Sequence, residues 1–322
     1  MLKKGCSQRA KQYKSFFFFL LKTVLGGSCI FFMYRAGVFD VDVLLGAILT
    51  SPYNILAGFF LVLAMIFLGI TRWYLVMRLT GVPFSFANTV SVGLIGIFFA
   101  TFAPGGITSD VMRSYYSSRE KKFSADSMLA VVIDRGGALS GQLLTVVFCG
   151  VLIFDRISGS VFETPFFIMT ALFIGIVLLA VSFYLDFFSK FLGRLGKGSD
   201  YWQNVQQKPF AFVLATLISS VNSILLGVSL FVFAGAVGEA VGVGLGYFLF
   251  AGPFVAISLT IPLTPAGLGT GQIAGLLLFN NMTNQSINCG AEIVTLVQLS
   301  WMVVGLFGAL VFIVYKKQGE AK

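Results

Sequence analysis

Residues 86–122 read FANTVSVGLIGIFFATFAPGGITSDVMRSYYSSREKK. The apolar run inside this stretch, Val90–Ala103, is 14 residues long, short of the ~20 that a helix needs to cross a hydrocarbon core. Pro104-Gly105-Gly106 breaks it, and the polar segment Thr108–Asp126 follows, carrying Asp110, Arg113, Arg119, Lys121 and Lys122. Upstream, an apolar span from about Tyr53 to Ile70 runs into Arg72, Trp73 and Arg78. Basic residues gather on the cytoplasmic side of membrane spans, so 72–78 and 113–122 both belong there. The chain between them must enter the membrane and return to the face it left. A helical hairpin over about 86–104 follows from that count of charges.

The same reasoning extends outward. The basic segments 3–14, 72–78, 113–122, 190–208 and 316–322 are expected inside, and the segments 36–52, 155–164 and 237–240, poor in positive charge, outside. Residues 237–240 and the Asn-rich 280–288 then both face outward, so 241–280 must also return to its own side. Two hairpins entering from opposite faces are expected, each re-entrant or a pair of short helices. Around them lie apolar spans at about Phe16–Tyr34, Tyr53–Ile70, Ser127–Phe154, Pro165–Leu185, Pro209–Ala236 and Ile293–Tyr315.

Composition sets the class. Charged residues are 11% of the chain against 57% hydrophobic, whereas soluble domains carry roughly a quarter of their residues as charges. The expectation is an all-α polytopic integral membrane protein of about 6–8 transmembrane helices plus the two Pro/Gly-broken hairpins. It divides into a basic cytoplasmic tail (1–15), a single transmembrane domain (16–315) and a cytoplasmic C-terminal tail (316–322). The apolar run from Phe16 to Met33 has no small-residue cleavage site before Arg35, so it reads as an uncleaved span with the N-terminus inside. The net charge of +9 is explained by topology, and no nucleic-acid partner is expected. With no histidine and four scattered cysteines, no metal site is expected.

The two hairpins share a pattern. Phe98–Ile107 and Ser258–Leu268 are both apolar runs broken around Pro-x-Gly followed by Ile or Leu. Paired interruptions in two halves mark inverted-repeat transporters, whose helix breaks line a central site. The alternative is two Pro-Gly loops at the membrane surface. On the first reading Pro104, Gly105, Gly106, Pro262, Pro265, Gly267 and Gly269 are the hinge and cavity residues.

Asp134-Arg135 lies inside an apolar segment that begins near Met128. Charges at mid-bilayer cost roughly 2.5–3.5 kcal/mol on insertion scales and normally face a bundle interior and pair. Adjacent residues on a helix cannot face one another, so each needs another partner. The pair reads either as a snorkelling anchor or as a headgroup-binding or gating ion pair. Asp110 and Arg113, three apart, share a face if 108–119 is helical; Arg113 offers a guanidinium fork to a phosphate, unless the segment is only a solvated basic loop. Arg72 reads as an interface-belt residue or as a headgroup contact. Gln272, Gln298, Glu292, Asn88 and Asn222 are expected in interhelical hydrogen bonds.

No GxSxG, P-loop or HExxH signature is present, so no catalytic residue and no cofactor is expected.

Arg72-Trp73, then Phe98-Phe99 with Pro104-Gly105-Gly106, Asp110 and Arg113, then Asp134-Arg135, then Pro262 with Pro265-Ala266-Gly267-Leu268-Gly269 form an ordered set. That set resembles the lysylphosphatidylglycerol synthase transmembrane-region family over about residues 15–315. The family pattern reads Gly-Gly-Asp-x-x-Arg, whereas Ile107, Thr108 and Ser109 intervene here. Its second motif often continues Gly-x-x-Glu, and here Gln272 follows Gly271, an amide near the place of a carboxylate. The resemblance implies a bacterial or archaeal inner-membrane protein that moves a lipid between leaflets. Synthase activity belongs to a soluble C-terminal domain of fused relatives and is not expected of this chain.

The expected function is therefore a translocase for an anionic or sugar-bearing lipid. Arg72, Asp110, Arg113, Asp134, Arg135 and Gln272 would contact that substrate, and a lipid-biosynthetic enzyme of the envelope would be the partner. The rivals are a glycosyl- or acyl-transferase acting on a polyprenyl lipid and an accessory subunit of an envelope-lipid complex.

Overall fold

The computed structural model describes residues 28, 31, 34–35, 40–79, 84–102, 108–117, 125–184, 209–238, 244–260, 267–282 and 289–320. Among them, every regular element is helical: α1 (Val41–Thr50), α2 (Pro52–Leu79), α3 (Phe86–Phe102), α4 (Thr108–Ser117), α5 (Ala125–Leu152), α6 (Phe154–Ile157), α7 (Glu163–Tyr184), α8 (Pro209–Val237), α9 (Leu245–Thr260), α10 (Thr270–Met282) and α11 (Gly290–Glu320). Five of them are long and apolar enough to cross a membrane: α2, α5, α7, α8 and α11. The chain is thus a polytopic helical membrane protein. The expected first span falls mostly outside the described residues, as do the N-terminal tail and the basic segment 190–208; of the expected C-terminal tail, residues 316–320 continue α11.

α8 is the centre of the bundle and packs on α2, α5, α9 and α11. Helices in lipid gain nothing from hydrophobic exclusion, so their contact depends on close approach of backbones at small residues. The α5–α8 crossing is made by Gly137 and Gly141, a G-x-x-x-G spacing. A Cβ at Gly137 would lie 2.7 Å from that of Ala215, and one at Gly141 would meet Ser219 and sit 2.5 Å from the Thr216 carbonyl oxygen. The α8–α9 crossing uses Gly227 against the backbone of Phe248 and Leu249. The large apolar side chains, among them Leu230, Phe233, Phe248, Phe250 and Phe279, fill the space these contacts leave.

Both expected hairpins are present, and α11 measures their depth. Phe86 at the start of α3 packs on Tyr74 and Phe67 of α2. Further along, Phe98 stacks on Phe312, and the far end, Thr101 and Phe102, abuts Gly305. α4 then returns until Tyr116 meets Tyr315. So α3–α4 enters at the Tyr315 end of α11, reaches Gly305 and goes back. α9 starts at the other end, where Gly246 touches Ile153 at the close of α5. Its turn brings Gly271 beside Gln298, and α10 retreats until Gly275 packs on Gly290. The two tips therefore meet α11 near Gly305 and Gln298, seven residues or about 10 Å apart at 1.5 Å per residue. Each hairpin thus enters the bundle from one end and returns to that end, the two from opposite ends, as expected from the loop charges.

Of the expected hinge residues, Gly267 and Gly269 lie in the turn before α10 with φ of 68° and 87°, a left-handed conformation that residues with a Cβ rarely adopt. Gly267 also lies against the Leu259 backbone, where a Cβ would come within 2.9 Å of the Leu259 Cα. Pro104, Gly105, Gly106, Pro262 and Pro265 lie outside the described residues.

Candidate functional site

Five of the six expected site residues converge. Arg72 on α2 donates from Nε to Asp134 Oδ1 at 2.7 Å and from Nη2 to Oδ2 at 3.0 Å. Its remaining terminal nitrogen, Nη1, donates to Ser219 Oγ at 2.8 Å, and that hydroxyl donates onward to the Ala215 carbonyl at 2.6 Å. Asp134 on α5 is 1% exposed and Arg72 7%, so this fork-to-fork pair lies inside the bundle. Such bidentate geometry is the strong form of a charge-assisted bond. One turn beyond the hairpin tip, Asp110 on α4 accepts from Arg135 Nε at 2.9 Å and Nη2 at 2.6 Å. This second pair is the more open, with 43% of the Arg135 side chain exposed. The adjacency of Asp134 and Arg135 thus does what helix geometry demands: each turns to a different helix.

Arg113 is the exception. Its Nη1 is 4.0 Å from Asp134 Oδ2, its guanidinium lies over the Trp73 ring at 5.4 Å, and its Nε is buried without a hydrogen-bond partner. The floor beneath it is Gly96 of α3, where a Cβ would stand 3.0 Å from Arg113 Nε and 2.9 Å from Ser109 Oγ. Among the described residues, three guanidinium groups against two carboxylates leave the cluster with one positive charge, and Arg113 is where it is least compensated. Burying an uncompensated charge is costly, and Arg113 is where this cluster bears that cost.

Two expectations change. Arg72 is not an interface-belt residue: it is nearly fully buried, beside the fully buried Trp73. α2 runs about two turns beyond Ile70 before it ends at Leu79, which carries both inside; Arg78, exposed and bonded to the Tyr74 hydroxyl at 3.2 Å, takes the interfacial place. Arg113 likewise sits on an embedded helix rather than on a solvated basic loop.

Gln272 lies apart from the cluster. Its Oε1 accepts from the Gly269 N–H at 2.7 Å, while Nε2 donates to Thr295 Oγ1 at 3.0 Å and to Gln298 Oε1. With both ends committed and 1% of the residue exposed, it clamps the second hairpin's turn to α11, as interhelical amides do. Asn88 is exposed, its N–H bonded to Ser85 Oγ, and Asn222 is half-buried with its Oδ1 lacking a partner. Glu292 lies at the opposite end of α11 from the cluster, bonded to the Asp40 N–H.

Ser219 carries no sequence signal of its own, being one hydroxyl in an apolar span. The Gly137-x-x-x-Gly141 spacing is the feature that brings it to Arg72.

Beside the cluster, a groove of about 470 Å³ opens between α5, α7 and α8, lined by Ser140, Leu144, Phe173, Val177, Phe212 and Thr216 among others. Thr216 stands one turn of α8 from Ser219. The groove is therefore apolar at its walls and close to the charged group at one end.

No curated protein and no solved structure matches the chain. A family model described as Lysylphosphatidylglycerol synthase TM region matches residues 19–314, a stretch that contains both re-entrant hairpins and every residue of the charged cluster. The chain belongs to that family.

Proposed function

We propose that the protein is a lipid translocase that takes an anionic headgroup at Arg113 and passes it between leaflets along the re-entrant hairpins. One observation carries this reading: an embedded five-charge cluster with a single surplus positive charge, set at the tip of a broken hairpin. Arg113 is free to offer a fork to a phosphate or carboxylate, because its present contacts are a ring face and one long approach. Arg72 and Asp134 hold the floor of the site in place, and Asp110 with Arg135 forms its more open rim. The groove beside Ser219 is of ligand-site size and would take an acyl chain while the headgroup is held.

The transferase reading has weaker support. Both carboxylates that would serve as its base already accept two bonds each from a guanidinium, and a general base needs a lone pair aimed at substrate.

Purified protein in phosphatidylethanolamine–phosphatidylglycerol vesicles should move fluorescent phosphatidylglycerol between leaflets, read by quenching with dithionite. Arg113→Ala should slow that exchange roughly tenfold or more, the loss of one charge-assisted contact of about 1.5–3 kcal/mol, while leaving the elution profile unchanged. Wild-type vesicles without exchange, or product formed from a polyprenyl donor, would sink the proposal.

A further inference from the structure

We infer that Glu292 is a proton-binding site that controls the end of the bundle opposite the charged cluster. Glu292 is 1% exposed. Its Oε1 accepts from the Asp40 backbone N–H at 2.6 Å, and its Oε2 is buried without a hydrogen-bond partner among the described residues. A carboxylate so placed would be desolvated, and an ionised carboxyl buried without a countercharge is among the costliest groups a fold can carry. Among the described residues, the elements packed against α11 offer no cation at this end, and Arg113 of α4, which meets α11 at Tyr315, lies at the other. α1 brings Asp40 at its N-cap and Asp42, both acids; α3, α8 and α10 carry no charged residue; α2 carries Arg72 and Arg78, both at the other end. On its own segment the Cys289 thiol lies one turn before it. A proton on Glu292 removes the cost; the closed structure is the protonated one.

The position makes the proton consequential. Asp40 is exposed at the surface and its side chain accepts from Asp42 N at 2.8 Å, capping α1. Glu292 lies directly behind it, so protons exchange with water past Asp40. The same Asp40 N–H bond ties the start of α1 to α11. Loss of the proton leaves a carboxylate facing Asp40 with no ion pair among the described residues, and the ion is relieved by admitting water between α1 and α11. Deprotonation therefore opens this end; protonation closes it. The reaction is Glu292–COOH giving Glu292–COO⁻ and a proton to the adjoining aqueous phase.

That this opening sets a transport rate rests on the translocase reading; the proton site does not, and two measurements keep them apart. Difference infrared spectroscopy of the purified wild type should show a protonated-carboxyl band at neutral pH. The band should vanish in E292Q and shift in E292D. Its absence from wild type overturns the proton site whatever the vesicles do. In vesicles containing fluorescent phosphatidylglycerol, raising pH on the Glu292 side should speed exchange roughly threefold or more across about three pH units, the range over which one carboxyl ionises. E292Q, fixed in the neutral form, should show no such rise. Wild-type exchange indifferent to pH on that side, or a rise in E292Q equal to that of wild type, overturns the gate. If wild type moves no lipid yet shows the band, the translocase reading fails and the proton site stands.

Discussion

Asp134→Asn should lower the thermal midpoint of the detergent-solubilised protein by about 5–10 °C and abolish lipid exchange. The carboxylate accepts both forks of Arg72 and is the nearest counter-ion of Arg113. An asparagine in its place presents an NH₂ group to a guanidinium that can only donate, and the cluster's surplus rises from one positive charge to two. Removing one partner of a buried pair costs roughly 3–5 kcal/mol because the other charge stays behind uncompensated, and by the per-residue unfolding entropy a chain of this size loses about 1.5–2 °C per kcal/mol. The companion experiment separates scaffold from function. Arg72→Met with Asp134→Leu removes both charges, and such replacements are often neutral or stabilising. The double variant should recover most of the lost midpoint and none of the exchange. A single variant as stable as wild type would mean that the pair is hydrated and contributes nothing to the fold. A double variant that transports would remove Arg72 and Asp134 from the mechanism.

The reasons these residues were partly readable, and partly not, are physical. Asp134-Arg135 stands out because two charges in an apolar run cannot be left unpaired, and the demand for separate partners follows from helix geometry alone. The identity of the partners does not follow: Arg72 is 62 residues from Asp134 in sequence, and only the packing of α2, α5 and α8 decides that they meet. Arg72 also disguised itself. A guanidinium lowers local hydropathy and so appears to end a span at Ile70, yet a charge neutralised by a carboxylate does not bar the helix from continuing to Leu79. The hairpins were legible because positive loops constrain which crossings are allowed. Their depth was not, since it is set by where Gly305 and Gln298 fall along α11. Gln272 shows the limit in the other direction. An amide beside a broken helix is compatible with substrate contact from sequence, and its three bonds to Gly269, Thr295 and Gln298 make it a fastening of the turn.

Gly141→Leu should abolish lipid exchange, because the charged site exists only while α5 and α8 touch. A Cβ at this position collides with the Ser219 side chain and lies within 2.7 Å of the Ser220 nitrogen and 2.5 Å of the Thr216 carbonyl. Two of those three obstacles are helix backbone, so the clash cannot be relieved by a rotamer change and the helices must part. Overpacking of a tight contact costs typically 1–3 kcal/mol and occasionally more; here the separation also breaks polar contacts. Ser220 donates to the Gly141 carbonyl at 3.1 Å, and Ser219 would be carried away from Arg72 Nη1, leaving a buried donor without its acceptor at a further cost of about 1–3 kcal/mol. The variant should elute as a broadened or aggregated species and show no exchange. Gly136→Leu, one turn earlier on α5, is the control: an added Cβ there meets only the Phe212 ring edge at 3.6 Å, ordinary contact with a side chain that can yield, and the protein should fold. If Gly141→Leu instead gives a monodisperse protein with wild-type exchange, α5 and α8 do not cross at this glycine and the Ser219 contact with Arg72 is not part of the site. If it folds but exchanges no lipid, the crossing serves the site more than the bundle, and Arg72 held by Ser219 is then the feature whose loss must be tested directly with Ser219→Ala.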